Sequence, residues 1–251
     1  MFQNKVAIVT GAGQGIGFEI CRQLAIQGAM VVLNDVDQNF AAGAAGRIMH
    51  ENGECISHIG DVANSNYVKQ LVNDTVKQYG RLDIAIANAG ITLFGEFLDY
   101  PSESFDQVMR VNLGGTFFLA QAAANQIKKQ GTGGSLLFTS SVVGHQAHKQ
   151  LAAYAMTKAG IEMLAKNLVI ELSQYKINVN AIAPGATKTE RTLHDPDYEK
   201  IWSTLTPMGR PASTKDIADT ALYLVSDAAR HITGQTIIID GGWTAISPSP
   251  F

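Results

Sequence analysis

The sequence predicts the α/β class, with one doubly wound parallel sheet of seven strands and helices on both of its faces. Three observations carry this. Short runs rich in Val, Ile and Leu alternate with longer runs of helical periodicity along the whole chain. The apolar runs lack clean in–out alternation, which is the pattern of strands covered on both faces. No low-complexity linker divides the 251 residues, so one domain over 1–251, long enough to bury its own core, is expected.

The first strand is read at 5–10 (KVAIVT), and a helix follows from about Gly15 to Gln27. Further strands are read at 29–34, 54–60, 82–89, 134–140, 177–184 and 235–240. Helical patterns fill the gaps near 38–52, 64–79, 102–130, 152–174 and 214–226. The stretch 184–212 departs from this rhythm. It holds Pro184, Pro196, Pro207 and Pro211, four of the seven prolines, around a short helical run near 196–205. It leaves the carboxyl end of a strand, where ligands bind in such sheets, so it reads as a lid or substrate loop.

Composition excludes several classes. A hydrophobic content of 46% with 16% charged residues describes an ordinary globule, and a net charge of −3 gives no reason to expect nucleic acid or an anionic membrane as partner. No apolar run reaches the roughly 18 residues of a membrane span. The start MFQNKVAIVT runs into a strand without the shape of a cleavable signal. Cys21 and Cys55 lie among apolar residues and read as buried thiols in a reducing compartment. A cytoplasmic home is expected, and no metal-ligand pattern is apparent.

Residues 10–17, TGAGQGIG, join the first strand to the first helix. Glycines there let the backbone turn tightly and let a diphosphate approach, while the helix start offers free N–H groups and partial positive charge. The spacing is G-x-x-x-G-x-G, on Gly11, Gly15 and Gly17, with Gln14 and Ile16 between them. Asp35 ends the second strand, 18 residues past Gly17, close to the carboxylate expected to bond a ribose 2′-hydroxyl. A 2′-phosphate would be repelled there, and the neighbouring Asn34, Val36 and Asp37 offer no cation. NAD is therefore expected in preference to NADP.

Tyr154 and Lys158 stand four apart in a helical stretch, on one face. An ammonium beside a phenol favours the phenolate, which suits the pair to general acid–base work. Ser140 and Ser141 fall at the carboxyl end of the fifth strand, where a hydroxyl could meet the phenol at one substrate oxygen. Asn112 sits in a long apolar helix, where an uncompensated amide is costly. Each residue taken alone fits a structural role as readily.

As an ordered set these residues resemble the short-chain dehydrogenase/reductase family, over nearly the whole chain. The matches are T-G-x-x-x-G-x-G at Thr10–Gly17, N-A-G at Asn88, Ala89 and Gly90, Y-x-x-x-K at Tyr154 and Lys158, and P-G at Pro184 and Gly185. Asp61 in GDVA, with Val62 beside it, matches the family's adenine contact, and Asn112 its catalytic asparagine. A serine 13 residues before the tyrosine selects Ser141 over Ser140. The resemblance implies a single-domain Rossmann fold and an NAD-dependent oxidoreductase acting on an alcohol or carbonyl. Tyr154 would pass the proton, and Lys158 would assist it and bond the nicotinamide ribose. Ser141 would bond the substrate oxygen, and Asn112 would hold a water linking Lys158 to solvent. The cofactor contacts would continue through Gly185 to Thr187.

Substrate contacts are expected from 91–97, from 144–151 and from the lid, with His145, His194 and Trp202 joining Ser141 and Tyr154. These polar loops suit a sugar or polyol, as in a glucose 1-dehydrogenase. The alternatives are a 3-oxoacyl carrier-protein reductase and, remotely, a non-catalytic nucleotide-binding scaffold. Family carrier-protein reductases place arginines before the fifth and sixth strands, and these are not matched here. The helices 102–130 and 152–174 carry more apolar surface than one sheet face should cover, and the resemblance implies that they pair between subunits, in a homotetramer or at least a dimer. The end DGGWTAISPSPF leaves Trp243 and Phe251 without an obvious core, to pack across a subunit interface or to help close the site.

Overall fold

The computed structural model describes residues 1–247; Phe251 lies outside them. Seven strands form one sheet: β1 (Val6–Val9), β2 (Met30–Asp35), β3 (Glu54–Ile59), β4 (Ile84–Ala87), β5 (Gly134–Thr139), β6 (Ile177–Pro184) and β9 (Thr236–Ile239). Their spatial order is β3-β2-β1-β4-β5-β6-β9, and every neighbouring pair is parallel. The chain winds outward from β1 in one direction and from β4 in the other. Between them the sheet has its topological switch point, and a crevice opens there at the carboxyl ends of the strands.

The two faces carry separate cores. Alternate residues of each strand point to opposite sides, so Ala7, Val9, Val31, Leu33, Ile84 and Ile86 meet one core. There they pack with α1 (Gly15–Ile26), α2 (Gln38–His50) and α8 (Thr214–Val225). Val6, Ile8, Val32, Ala85, Leu136 and Phe138 meet the other. That core is closed by α3 (Ser65–Tyr79), α5 (Gly115–Gln130) and α6 (Ala152–Leu172). Cys21 and Cys55 are both free and buried, and burial pushes the Cys55 thiol up to about 12. Among the described residues no helix is long and apolar enough to cross a membrane.

The expected helix 102–130 is interrupted. It consists of α4 (Ser102–Val108), a π-helical turn over Met109–Gly114, and α5. The interruption falls at Asn112 and at Gly114–Gly115, where a Cβ on Gly115 would lie 2.9 Å from Val62 Cγ2. The fourth strand is shorter than expected because Asn88 and Ala89 turn away from it to bond Thr10.

Two further strands were not expected. β7 (Thr187–Lys188) and β8 (Ala212–Ser213) pair in parallel and pin together the two ends of the lid. The lid holds a short 3-10 turn over Glu190–His194 and the helix α7 (Tyr198–Leu205). At its return end Ser213 and Asp216 form a reciprocal cap on α8, and Arg210 grips the Asp216 carboxylate at 2.7 and 3.0 Å.

The Arg210 guanidinium, with help from Ser213, holds the Asp216 carboxyl well below the usual carboxylate range. A carboxyl depressed in the folded state stabilises above the pH at which the unfolded group ionises, and that stabilisation is lost as pH falls through the folded-state value. Asp216→Asn should therefore cost about 1 kcal/mol at pH 7. The gap to wild type should begin to close below about pH 4, as read by urea unfolding at pH 7 and pH 3.

Candidate active site

The crevice is a cavity of about 890 Å³ that runs from the β1–α1 turn to the start of α6. Its floor at the switch point is tied by two side chains. The Thr10 hydroxyl accepts from the amides of Asn88 and Ala89, both at 3.2 Å. The Asn88 side-chain amide donates to the carbonyls of Thr10 (3.1 Å) and Gly11 (2.9 Å), and the Thr139 hydroxyl donates to its oxygen at 3.3 Å. Asn88 thus knits the ends of β1, β4 and β5. It leaves no room at Gly17, where a Cβ would lie 2.5 Å from Asn88 Nδ2 and 2.6 Å from Gly11 O. Gly11 itself turns through φ +60, with its Cβ position 2.6 Å from the Ala89 backbone. These glycines leave a cradle with the start of α1 opening into it, and α1 has no side-chain cap of its own. A diphosphate fits that chemistry.

Beside the β1–α1 turn Asp35, Asp61 and Val62 line the cavity. Asp35 accepts from Gly13 N at 2.9 Å and from Asp37 N at 3.1 Å, which fixes its carboxylate at the rim of the turn. Behind it, the buried Asn34 amide donates to Tyr67 Oη at 2.8 Å and to the carbonyl of Gly60 at 3.0 Å. Burial pushes the Tyr67 phenol up to about 12, so it stays neutral.

At the other end Ser141, Tyr154 and Lys158 line the same cavity. Lys158 is 3% exposed. Its ammonium donates to the carbonyl of Thr139 at 2.7 Å and lies 5.3 Å from the centroid of the Tyr154 ring. The two serines differ in what holds them. The Ser140 hydroxyl is taken up by Glu162 Oε1 at 2.6 Å and the carbonyl of Lys158 at 3.0 Å. Ser141 accepts only a long bond from Val143 N at 3.4 Å, which leaves its proton to donate.

Asn112 lies outside the cavity wall and is fully buried. Its side chain donates to Ile91 O (3.0 Å) and Thr157 Oγ1 (3.1 Å) and accepts from Ile91 N (2.9 Å). Its amide is fully compensated, clamping the 89–91 segment to α6. Its carbonyl, inside the π-helical turn, takes the Thr116 hydroxyl at 2.7 Å.

A family model described as enoyl-(acyl carrier protein) reductase matches residues 11–244. A solved structure of a short-chain type dehydrogenase/reductase from Mycobacterium marinum, 33% identical, superposes with a TM-score of 0.93 over 98% of this chain and 97% of that one. The chain belongs to the short-chain dehydrogenase/reductase family. It is an oxidoreductase of alcohol and carbonyl groups that uses a nicotinamide dinucleotide. This dehydrogenase/reductase is also similar to an L-rhamnose-1-dehydrogenase from Scheffersomyces stipitis, at 35% identity over 96% of each chain. It is similar to a gluconate 5-dehydrogenase from Burkholderia cenocepacia in complex with NADP and tartrate. That pair is 32% identical with a TM-score of 0.91, over 98% of this chain and 97% of that one.

The residues expected to touch substrate are only partly brought together in this dehydrogenase/reductase. Ser141 and Tyr154 line the cavity, whereas His145, His194 and Trp202 do not. His145 is turned to Glu162, with Nε2 at 2.9 Å from Oε1. Trp202 belongs instead to a row of aromatic rings. Its centroid lies 6.2 Å from Tyr198 and 5.0 Å from Trp243, which in turn lies 5.1 Å from His148. Trp243 and Tyr154 both pack against a small cluster of Val142, Val143 and Leu151. The row therefore links the lid, the 144–151 loop and the C-terminal segment beside the tyrosine.

Sequence reasoning passed over Glu162, Thr157 and Tyr198. Glu162 and Thr157 were legible only as polar positions in an apolar helix. Removing the Thr10 hydroxyl should show how far the floor depends on it. Thr10→Val orphans two amides at the rim of the cavity and should cost about 1–3 kcal/mol. NADH affinity should fall with it, as read by thermal unfolding and fluorescence titration.

Proposed function

We propose that the enzyme oxidises a hydroxyl-bearing carbon of a sugar, sugar acid or polyol, with NAD as the preferred acceptor. The observation that carries this is the convergence of the Tyr154 ring, the anchored Lys158 ammonium and the Ser141 hydroxyl on one cavity that begins at a diphosphate-sized cradle. The rhamnose and gluconate dehydrogenases among its relatives support a hydroxylated substrate.

Tyr154 takes the substrate hydroxyl proton during oxidation and returns it during reduction. Lys158, held in place by the Thr139 carbonyl, stabilises negative charge on the phenolic oxygen without swinging away. Ser141 donates to the substrate oxygen and steadies the charge that develops there. Asn112 would hold a water that links Lys158 to solvent. A nicotinamide dinucleotide held along this cavity would supply the hydride donor or acceptor.

The Asp35 carboxylate favours NAD, because a 2′-phosphate beside it would meet a like charge and the flanking Asn34, Val36 and Asp37 offer no counter-ion. Two free, buried cysteines suit a reducing compartment such as the cytoplasm. A second reading, reduction of a carrier-bound acyl thioester, is favoured by the description of the family model. A subunit assembly through the α5 and α6 faces is supported by their exposed Phe117, Phe118, Met156, Met163 and Ile170. We take it to be a homotetramer.

Tyr154→Phe should lower kcat about 10²–10⁴-fold while NADH binding stays close to normal; retained turnover refutes the assignment. The same assay, run with sugars, sugar acids, polyols and 3-oxoacyl thioesters against NAD and NADP, separates the two readings. Turnover of thioesters alone, with NADPH, would replace the first by the second. Light scattering should give four times the chain mass, and a monomer would refute the assembly.

A further inference from the structure

Among the helices that pack on the sheet, the starts of α1 and α6 carry no side-chain cap, and three others do. α2, α3 and α8 are capped by their own Asp37, Asn64 and Ser213. α1 is not, because Gln14 places no side chain on the amides that follow it. The amide of Gly15 is nevertheless bonded. It donates at 2.9 Å to Oε2 of Glu190, which lies 175 residues further along, in the lid. Thr189 comes with it, its Cγ2 3.5 Å from where a Cβ on Gly15 would be.

We infer that Glu190 occupies the diphosphate seat of the cofactor-free enzyme, and that the dinucleotide enters by displacing this carboxylate together with the lid turn that carries it. The inference rests on the nicotinamide-cofactor reading above and deepens it. A carboxylate and a diphosphate seek the same donor at the same positive helix end. One N–H cannot serve both, and two anions at that separation repel. Glu190 is exposed and has no buried role elsewhere that would hold it.

The surrounding geometry limits what moves. The lid is pinned at its base by the Thr187–Ala212 and Lys188–Ser213 pairing and by the bond from Ala212 N to Ala186 O. Within the turn, Thr192 Oγ1 accepts from Thr189 N at 3.0 Å, so residues 189–194 shift as a unit. Arg191, which also lines the cavity, is carried along. Glu190 thus sets cofactor affinity by competition, and occupancy of the cradle and release of the turn become a single event.

The test compares wild type with Glu190→Gln, which keeps the shape and loses the charge, and Glu190→Ala, which loses both. The probes are NADH and ADP-ribose; the latter carries the diphosphate without the nicotinamide. Both variants should bind both probes about three- to tenfold more tightly than wild type. In the cofactor-free protein, Glu190→Ala should exchange the amides of Gly15 and of 191–194 faster than wild type, because the tether is gone. Variants that bind equally or more weakly, or a lid whose exchange is unchanged, would overturn the inference. A wild-type protein that binds neither probe would instead overturn the cofactor reading on which it rests.

Discussion

The hydroxyl of Thr10 and the amide of Asn88 hold together the two strands from which the chain winds in opposite directions. Where β1 and β4 meet, no crossover helix covers the strand ends, and the crevice exists for that reason. The same place must not be filled by its own backbone. Thr10 and Asn88 use side-chain groups to satisfy amides and carbonyls that would otherwise be orphaned at the lip of a cavity. They also bring the N-A-G segment so close to the glycine turn that only glycine fits at 11 and 17. The sequence motifs at the two sites are therefore halves of one contact.

The far end of the cavity holds an ammonium kept almost out of water. A buried lysine is costly unless bonded, and Lys158 meets that cost with a backbone carbonyl rather than a carboxylate. The choice has a consequence. A neutral partner anchors the charge without cancelling it, so its field still reaches the tyrosine ring. Glu162, one helical turn past Lys158, is taken up through its Oε1 by Ser140 and His145. That arrangement also explains why two adjacent serines have different parts: one is consumed in holding α6 to β5, and its neighbour is left free to donate.

Around this rigid floor the lid is built from local devices. Two residue pairs of parallel strand fix its ends, and an ion pair and a helix cap hold its return. Aromatic rings carry it across to the C-terminal segment, where Trp243 packs on the same small cluster as Tyr154. The base and α7 are tied in this way, while the Glu190 side chain is held by its single bond to Gly15 N. A segment built this way can exchange one partner for another at low cost.

The sequence by itself determined the class of fold, the order and type of all seven main strands, and the glycine turn. It also determined the Tyr154–Lys158 pair, because each of these is encoded by local periodicity or short spacing. The residues it named for the cofactor lie along one cavity because they sit at strand ends or at the starts of α1 and α6, and the topology collects these at one edge of the sheet. Only the tertiary structure decided the rest. It broke one expected helix at Asn112, where a buried amide needed partners from Ile91 and from α6. It turned His145 toward Glu162 and Trp202 toward other rings, away from the cavity, because a loop side chain goes to whichever distant group satisfies it. It set Glu190 on a helix start 175 residues away. Contacts of that kind depend on which surfaces folding brings together, and nothing in the local pattern records them.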